Sequence, residues 1–331
     1  MSITIAFVGC SHIHVQGFAH MVKEAPGVTV KYAWDPEIQR STKWGNDVGA
    51  QVVTDLDIIA NDPQVTGVVI TSKTIEHLEL VSKFAKAGKQ LFVEKPLGMD
   101  AADATKQAAI INETGVLFQT GYFMRGSGIH QYARQAIQSG KLGKITRVSL
   151  SNCHSGSLGG WFDTEWKWMT DPAESGCGAF GDLGTHVLDI LLWLMEGDKV
   201  QRVTGQVDTA TKRYGDVDEY GQALLRFESG AVASIAAGWV SYDDPYKLII
   251  SGTEGELYFS DDKLYHKTEG MKQAEEITDL PEAWPHAFMI YLKRLAGESE
   301  LPMVTADEAA LRNTVMEKIY EGANSNTWVD C

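Results

Sequence analysis

A chain of 331 residues is long enough for two domains of ordinary size, each with its own core. A hydrophobic share of 44% and a charged share of 22% are globular values, and a net charge of −15 leaves no basic field to hold phosphates. Nucleic acid and anionic membrane are therefore not expected as partners.

No apolar run looks long enough to span a bilayer. The amino terminus, Met1-Ser2-Ile3-Thr4-Ile5-Ala6, enters strand-like sequence with no basic flank or cleavage site, so no signal peptide is read there. The four cysteines, Cys10, Cys153, Cys177 and Cys331, include no CxxC pair. Reduced thiols of a cytoplasmic protein fit them better than a disulfide framework or a zinc–thiolate site.

In chain order, Ile3–Val8 is a β-branched apolar run ending at Gly9. Residues 15–23 read as a helix, and Val28–Trp34 as a second strand closed by Asp35. Strand, turn, helix, strand and acid is the layout of a dinucleotide-binding unit. Asp35 follows Gly9 by 26 positions, close to the usual spacing of about 20. An acid there accepts hydrogen bonds from the adenosine ribose and repels a 2′-phosphate, which favours NAD over NADP.

The glycine fingerprint itself departs from the pattern. In Gly9-Cys10-Ser11-His12-Ile13-His14 only the first glycine is kept. Ser11 stands where the backbone should approach a diphosphate closely, and His14 where helix packing wants a small residue. His12 and His14 form an H-x-H that could hold a metal at the mouth of a barrel. No later His/Asp set has matching order, so no metal is expected. His12 reads equally as a cofactor or substrate contact or as a buried, hydrogen-bonded histidine.

Val68-Val69-Ile70, followed by Thr71-Ser72, reads as a strand, and residues 75–87 as a helix with an end signal at Ala87-Gly88-Lys89. Then comes Leu91-Phe92-Val93-Glu94-Lys95-Pro96, an apolar strand that runs into a charged pair and a proline. Pro96 keeps Lys95 extended, which places a lysine at the carboxyl end of a buried strand, where open α/β sheets bind ligands. A helix near residues 100–113 and a strand over 116–120 complete an alternation that predicts a parallel, doubly wound sheet.

Several segments occur in an order similar to the glucose-fructose oxidoreductase / inositol dehydrogenase / rhizopine catabolism (Gfo/Idh/MocA) family. They are Asp62-Pro63, Thr71-Ser72, His77, Ala87-Gly88-Lys89, Glu94-Lys95-Pro96, Gly121-Tyr122-Phe123-Met124-Arg125 and Ile137–Ile145. The resemblance covers essentially the whole chain. It implies an α/β protein with a Rossmann NAD(P)-binding domain over residues 1–121. A substrate-binding and oligomerisation α+β domain, with a large, mostly antiparallel open sheet, would follow over residues 122–331. Gly9, Ser11, His12, Ile13, Asp35, Thr71, Ser72, His77, Glu94 and Lys95 are then the candidate cofactor-binding residues.

Past Gly143, strand-like runs over 145–150, 200–207, 220–227, 231–239 and 246–250 are separated by hairpin signals. Between them lies Gly176–Asp189. If residues 180–194 are helical, Asp182, His186, Asp189 and Trp193 share one face. An Asp/His pair on a helix can be a purely structural hydrogen-bonded pair, although a glycine-rich lead-in would let a ligand approach closely. The resemblance implies that Lys95, Asp182 and His186 form a catalytic set and that Asp189 braces the helix.

That trio suits alcohol oxidation. A histidine, with an intrinsic pKa of about 6.5, can take the hydroxyl proton. The lysine can stabilise negative charge on the oxygen. Which of His186 and Lys95 accepts the proton is open, with His186 preferred.

Trp161, Phe162, Trp166 and Trp168 cluster ahead of the helix, as sugar-stacking faces or as ordinary core and lid packing. Arg125 and His154 are further candidate substrate contacts. Residues 286–297 and 305–322 read as helices, and Trp328-Val329 as a short strand. The outer face of the second sheet would join subunits into a homodimer or homotetramer, and a light-scattering mass equal to one chain would exclude this.

Three functions are consistent with these features. The preferred one is an NAD-dependent oxidoreductase moving a hydride between nicotinamide and a hydroxyl of a sugar, cyclitol or glycoside. A redox-neutral NAD-dependent glycoside hydrolase or lyase and a non-catalytic nucleotide-binding sensor are the alternatives.

Overall fold

The computed structural model describes residues 2–245 and 247–331. The chain forms two units. The first comprises Met1–Phe123, Asp163–Gly176 and Pro285–Asn313, and the second Met124–Phe162, Cys177–Trp284 and Thr314–Cys331.

The first unit opens with β1 (Ile3–Val8), α1 (Val15–Glu24), β2 (Val28–Trp34), α2 (Ile38–Val48), β3 (Gln51–Val52) and α3 (Leu56–Ala60). It continues through β4 (Gly67–Ile70), α4 (His77–Lys86), β5 (Gln90–Val93), α5 (Ala101–Thr114) and β6 (Phe118–Thr120). All six strands are parallel, in the order β3-β2-β1-β4-β5-β6. This is the doubly wound arrangement, whose strand order reverses between β1 and β4 and opens a crevice at their carboxyl ends.

Ile3–Val8 is a strand of β-branched and aromatic residues buried on both sheet faces, and Val28–Trp34 buries Val30, Tyr32 and Ala33 while Thr29 stays exposed. The first turn of α5 is capped by Asp100, whose carboxylate accepts the Asp103 N–H at 2.7 Å. On one face of the sheet Phe18, Phe92, Phe288 and Tyr291 interlock, with centroids of Phe18 and Phe288 4.6 Å apart. Val81, Phe84, Ala104 and Ala108 cover the other.

The second unit carries α6 (Gly128–Gln138), β7 (Ile145–Cys153) and α7 (Gly156–Gly159). The chain then passes through α8 (Pro172–Ser175), which belongs to the first unit, into α9 (Ala179–Leu194). Next come β8 (Val200–Asp208), β9 (Tyr220–Phe227), β10 (Val232–Gly238), β11 (Leu248–Gly252), β12 (Gly255–Ser260), β13 (Lys263–Thr268) and β14 (Glu275–Glu276). The helix α10 (Ala287–Leu295) returns to the first unit, and α11 (Ala306–Ser325) and β15 (Val329–Asp330) finish the chain.

Nine strands form one sheet in the order β14-β13-β12-β11-β7-β10-β9-β8-β15. Only β7 and β10 run parallel; the other neighbours are antiparallel. The last expected sheet strand was to begin at Tyr246, which lies outside the described residues.

Along β9, Gly221, Ala223, Leu225 and Phe227 are buried while Tyr220, Gln222, Leu224 and Arg226 are exposed. The period of two means that one sheet face is covered, by α9, and the other is open. Every residue of α9 except Asp182 and Leu192 is buried. Pro172–Leu194 is in fact long and apolar enough to cross a bilayer, and its most apolar window is 83% buried. Asp182, His186 and Asp189 hide that length in the sequence, and the burial is that of a core helix.

Candidate active site

In the first unit the site begins at the turn after β1. Gly9 has φ +79°, and a Cβ there would lie 2.4 Å from the Ser72 Cβ, so the residue must be glycine. The turn is laced to the end of β4: Ser11 N and His12 N donate to the Thr71 carbonyl at 3.1 and 3.0 Å, and Thr71 Oγ1 donates to the Gly9 carbonyl at 2.5 Å. Ser72 is buried and donates its hydroxyl to the Lys73 carbonyl.

Asp35 closes β2 and points at this turn. Its Oδ2 accepts Cys10 N–H at 2.7 Å, and its Oδ1 accepts Glu37 N–H at 2.8 Å and Arg40 Nε at 2.9 Å. Burial, and then the Asp35 charge, push the Cys10 thiol far up, so it stays protonated and unreactive. Arg40, which the sequence reading missed, neutralises the acid. No local pattern marks it, only its place on the first turn of α2.

The Glu94-Lys95 pair follows β5, and the Lys95–Pro96 peptide is cis. Glu94 is fully buried; its Oε2 accepts Lys95 N–H at 2.8 Å and its Oε1 meets His14 Nδ1 at 2.9 Å. Burial alone would raise its pKa, but the imidazoles of His14 and His12, with Lys95 behind them, hold the carboxyl well below its ordinary range. Lys95 is 3% exposed. His77, at the start of α4, places Nδ1 3.1 Å from the Leu97 carbonyl, tying the loop after Lys95 to the helix; burial lowers its pKa and keeps it neutral.

Trp161 and Trp168, seven residues apart, part company. Trp168 is in the first unit, buried, its indole N–H donating to the Ser11 carbonyl at 3.0 Å. Trp161 is in the second unit, 44% exposed, stacked on the His154 ring at 4.6 Å. His154 Nδ1 accepts Gly156 N–H at 2.9 Å.

In the second unit, Asp182 and His186 sit one turn apart near the start of α9, and His186 is 4% exposed. Asp182 accepts the indole N–H of Trp239 at 3.1 Å, and Trp239 packs on Phe162, which packs on Tyr214. Trp239 was also missed; it lies just past β10, with no sequence signal beyond a buried strand end.

The glycines that lead into α9 are filled by protein. A Cβ on Gly178 would lie 2.3 Å from Asp218 Oδ1, and one on Gly181 2.4 Å from Cys177 Cβ. Asp218 Oδ2 takes the Phe180 N–H at 2.7 Å and Tyr320 donates to its Oδ1 at 3.1 Å, clamping the helix start. Further along α9, Asp189 binds Arg125 through Nε at 2.8 Å and Nη2 at 2.5 Å. Arg125 is thus held by the helix, and Trp193 lies under the Arg134 guanidinium at 4.4 Å.

Residues 3–122 match the family profile described as oxidoreductase family, NAD-binding Rossmann fold, and residues 130–258 match the GFO/IDH/MocA C-terminal domain. The chain belongs to the Gfo/Idh/MocA family. Its cofactor class is NAD.

Among Gfo/Idh/MocA relatives, a scyllo-inositol 2-dehydrogenase (NAD(+)) of Bacillus subtilis is 26% identical over 93% of this chain and 90% of that protein. A 2,7-anhydro-N-acetylneuraminate hydratase of Mediterraneibacter gnavus is 26% identical over 77% of this chain and 67% of that one. An inositol dehydrogenase homologue of Azotobacter vinelandii, solved with NAD+, superimposes with a TM-score of 0.86 at 18% identity, covering 100% of this chain and 98% of that one. That likeness shows the fold.

The residues present fit the dinucleotide. Ser11 Oγ is buried and has no hydrogen-bond partner among the described residues, which suits a diphosphate oxygen. Gly9 leaves the turn without a Cβ, and Asp35 ends β2 beside it, its buried carboxylate holding the Cys10 N–H and the Arg40 guanidinium.

Proposed function

We propose that this Gfo/Idh/MocA protein is an NAD-dependent dehydrogenase of a sugar or cyclitol hydroxyl. The observation that carries the reading is a buried lysine closing β5 together with an Asp-x-x-x-His pair at the start of a buried helix, in a chain that matches both family domains.

The diphosphate would lie on the turn of Gly9, Ser11, His12 and Ile13, and the adenosine ribose at Asp35. Thr71, Ser72, Glu94 and Lys95 would line the nicotinamide half, with His77 positioning the loop after Lys95. NAD supplies the hydride acceptor. His186 takes the hydroxyl proton, and Lys95 places its charge beside the oxygen as negative charge develops. Asp182, oriented by Trp239, holds the substrate hydroxyl or the histidine ring. Trp161, backed by His154, offers a flat apolar face to a sugar ring.

The B. subtilis relative is named for oxidation of an inositol, which makes cyclitols the first substrates to try. The hydratase among the relatives favours one second reading, a redox-neutral reaction in which the hydride returns to the product. The exposed Tyr220, Leu224 and Val232 on the open sheet face support a homo-oligomer built there.

The test begins with fluorescence titration of NADH and NADPH, followed by absorbance at the NADH band with a panel of inositols and sugars. Micromolar binding that favours NADH and net reduction of NAD are expected; substrate turnover without net reduction would select the redox-neutral reaction. Asp35→Ala should narrow the NADH preference by about tenfold, roughly 1.4 kcal/mol. An unchanged ratio would mean that the acid is not at the ribose.

A further inference from the structure

We propose that His12, His14 and Glu94 form a binding site for a single Zn2+ ion at the amino end of α1. Three donor atoms, one from each residue, all lie within 4.8 Å of one another. Two imidazoles and a carboxylate are a zinc donor set that leaves coordination positions open, with bonds of about 2.0–2.2 Å. A tetrahedron with such bonds has edges of roughly 3.4 Å, so the widest donor separation must close by up to about 1.4 Å. His14 has room for that movement. Its side chain is 39% exposed and stands at the rim of an open groove of about 580 Å³, lined also by Ile13, Phe18, Phe123 and His286, which gives an ion its way in.

Charge decides the sign of the ligand. The Glu94 carboxyl is fully buried, with Oε1 turned to His14 and Oε2 to the Lys95 N–H. A carboxylate oxygen here attracts a cation and offsets the field of the α1 amino terminus, which by itself disfavours one. The surroundings also resemble an outer shell. Lys95 N–H holds Glu94 Oε2 at 2.8 Å, and the Trp168 ring flanks the His12 ring at 6.0 Å.

In the ion's absence the donors satisfy one another: His14 Nδ1 meets Glu94 Oε1 at 2.9 Å, and His12 Nδ1 accepts His14 N–H at 3.2 Å. When the ion binds it replaces the first contact, and the neutral His14 ring carries its proton on Nε2 so that the Nδ1 lone pair faces the metal. The sequence hides the set because its third member sits eighty residues beyond the H-x-H, just after β5.

The site shares His12 and Glu94 with the cofactor turn proposed above, and zinc titrated in the absence of dinucleotide tests it separately. Protein stripped with a chelator is titrated with Zn2+ against a chromophoric competitor, and bound metal is counted by elemental analysis. One ion per chain is expected, with a rise in melting temperature on binding. His14→Ala and Glu94→Gln should each weaken binding by at least about a hundredfold, and His12→Ala serves in place of Glu94→Gln should that variant not fold. His20→Ala, which changes a groove residue outside the set, should bind as wild type does. Three results would overturn the proposal: no stoichiometric zinc in the wild type, zinc retained in His14→Ala, or zinc lost in His20→Ala, which would move the ion into the groove.

Discussion

Lys95→Ala and His186→Ala are each expected to lower kcat by about two to four orders of magnitude while the protein still folds. The two losses should differ in kind. Without His186 the limb of the kcat/KM profile that reports a neutral-range base should vanish; without Lys95 it should remain, because the lysine acts through its charge on the oxygen. Both side chains are at least 96% buried, so each variant needs a circular-dichroism melt beside its kinetics. The substrate would be whichever cyclitol or sugar reduces NAD in the screen. Near-normal turnover in both variants would remove the catalytic assignment and leave the fold standing. A loss in kcat with KM unchanged would mark an interaction made only in the transition state.

Asp189→Ala should cost about 3–5 kcal/mol of stability, because it leaves the Arg125 guanidinium buried without its counter-charge. The side chains of the pair are 10% and 1% exposed, and the guanidinium binds with both Nε and Nη2. Asp189→Asn, which keeps an acceptor oxygen, should lose less. Replacing both partners, Arg125→Met with Asp189→Leu, should recover part of the loss, since no uncompensated charge then remains. Urea unfolding of the three variants separates these outcomes. Unchanged stability in Asp189→Ala with a fall in activity would move Asp189 from bracing the helix to touching substrate.

The parts of the fold that could be read from sequence were those with a local signal. Ile3–Val8 and Val28–Trp34 coincide with their strands residue for residue, because both are rich in β-branched and aromatic residues bounded by turn signals. The polar face of α9 was legible for the same kind of reason, since helical spacing brings Asp182 and His186 together. The hairpin from β12 to β13 was not. Its turn uses Asp261 and Asp262, both at positive φ (50° and 58°), in place of the glycine-containing pair that usually announces such turns.

Partners set by the tertiary fold left no trace either. Trp239 meets Asp182 across 57 positions, and His14 meets Glu94 across 80. Trp161 and Trp168, neighbours in sequence, belong to different units, the first exposed and the second buried.

The order in which segments enter the first unit bears on how the protein is made. Its sheet is complete by Thr120, but Phe288 and Tyr291, which cover Phe92, are translated about 170 residues later. Until α10 has been made, a nascent chain would carry that aromatic face open to water. The first unit is thus finished by a helix made long after its sheet, and its amino-terminal half alone lacks the cover for one sheet face.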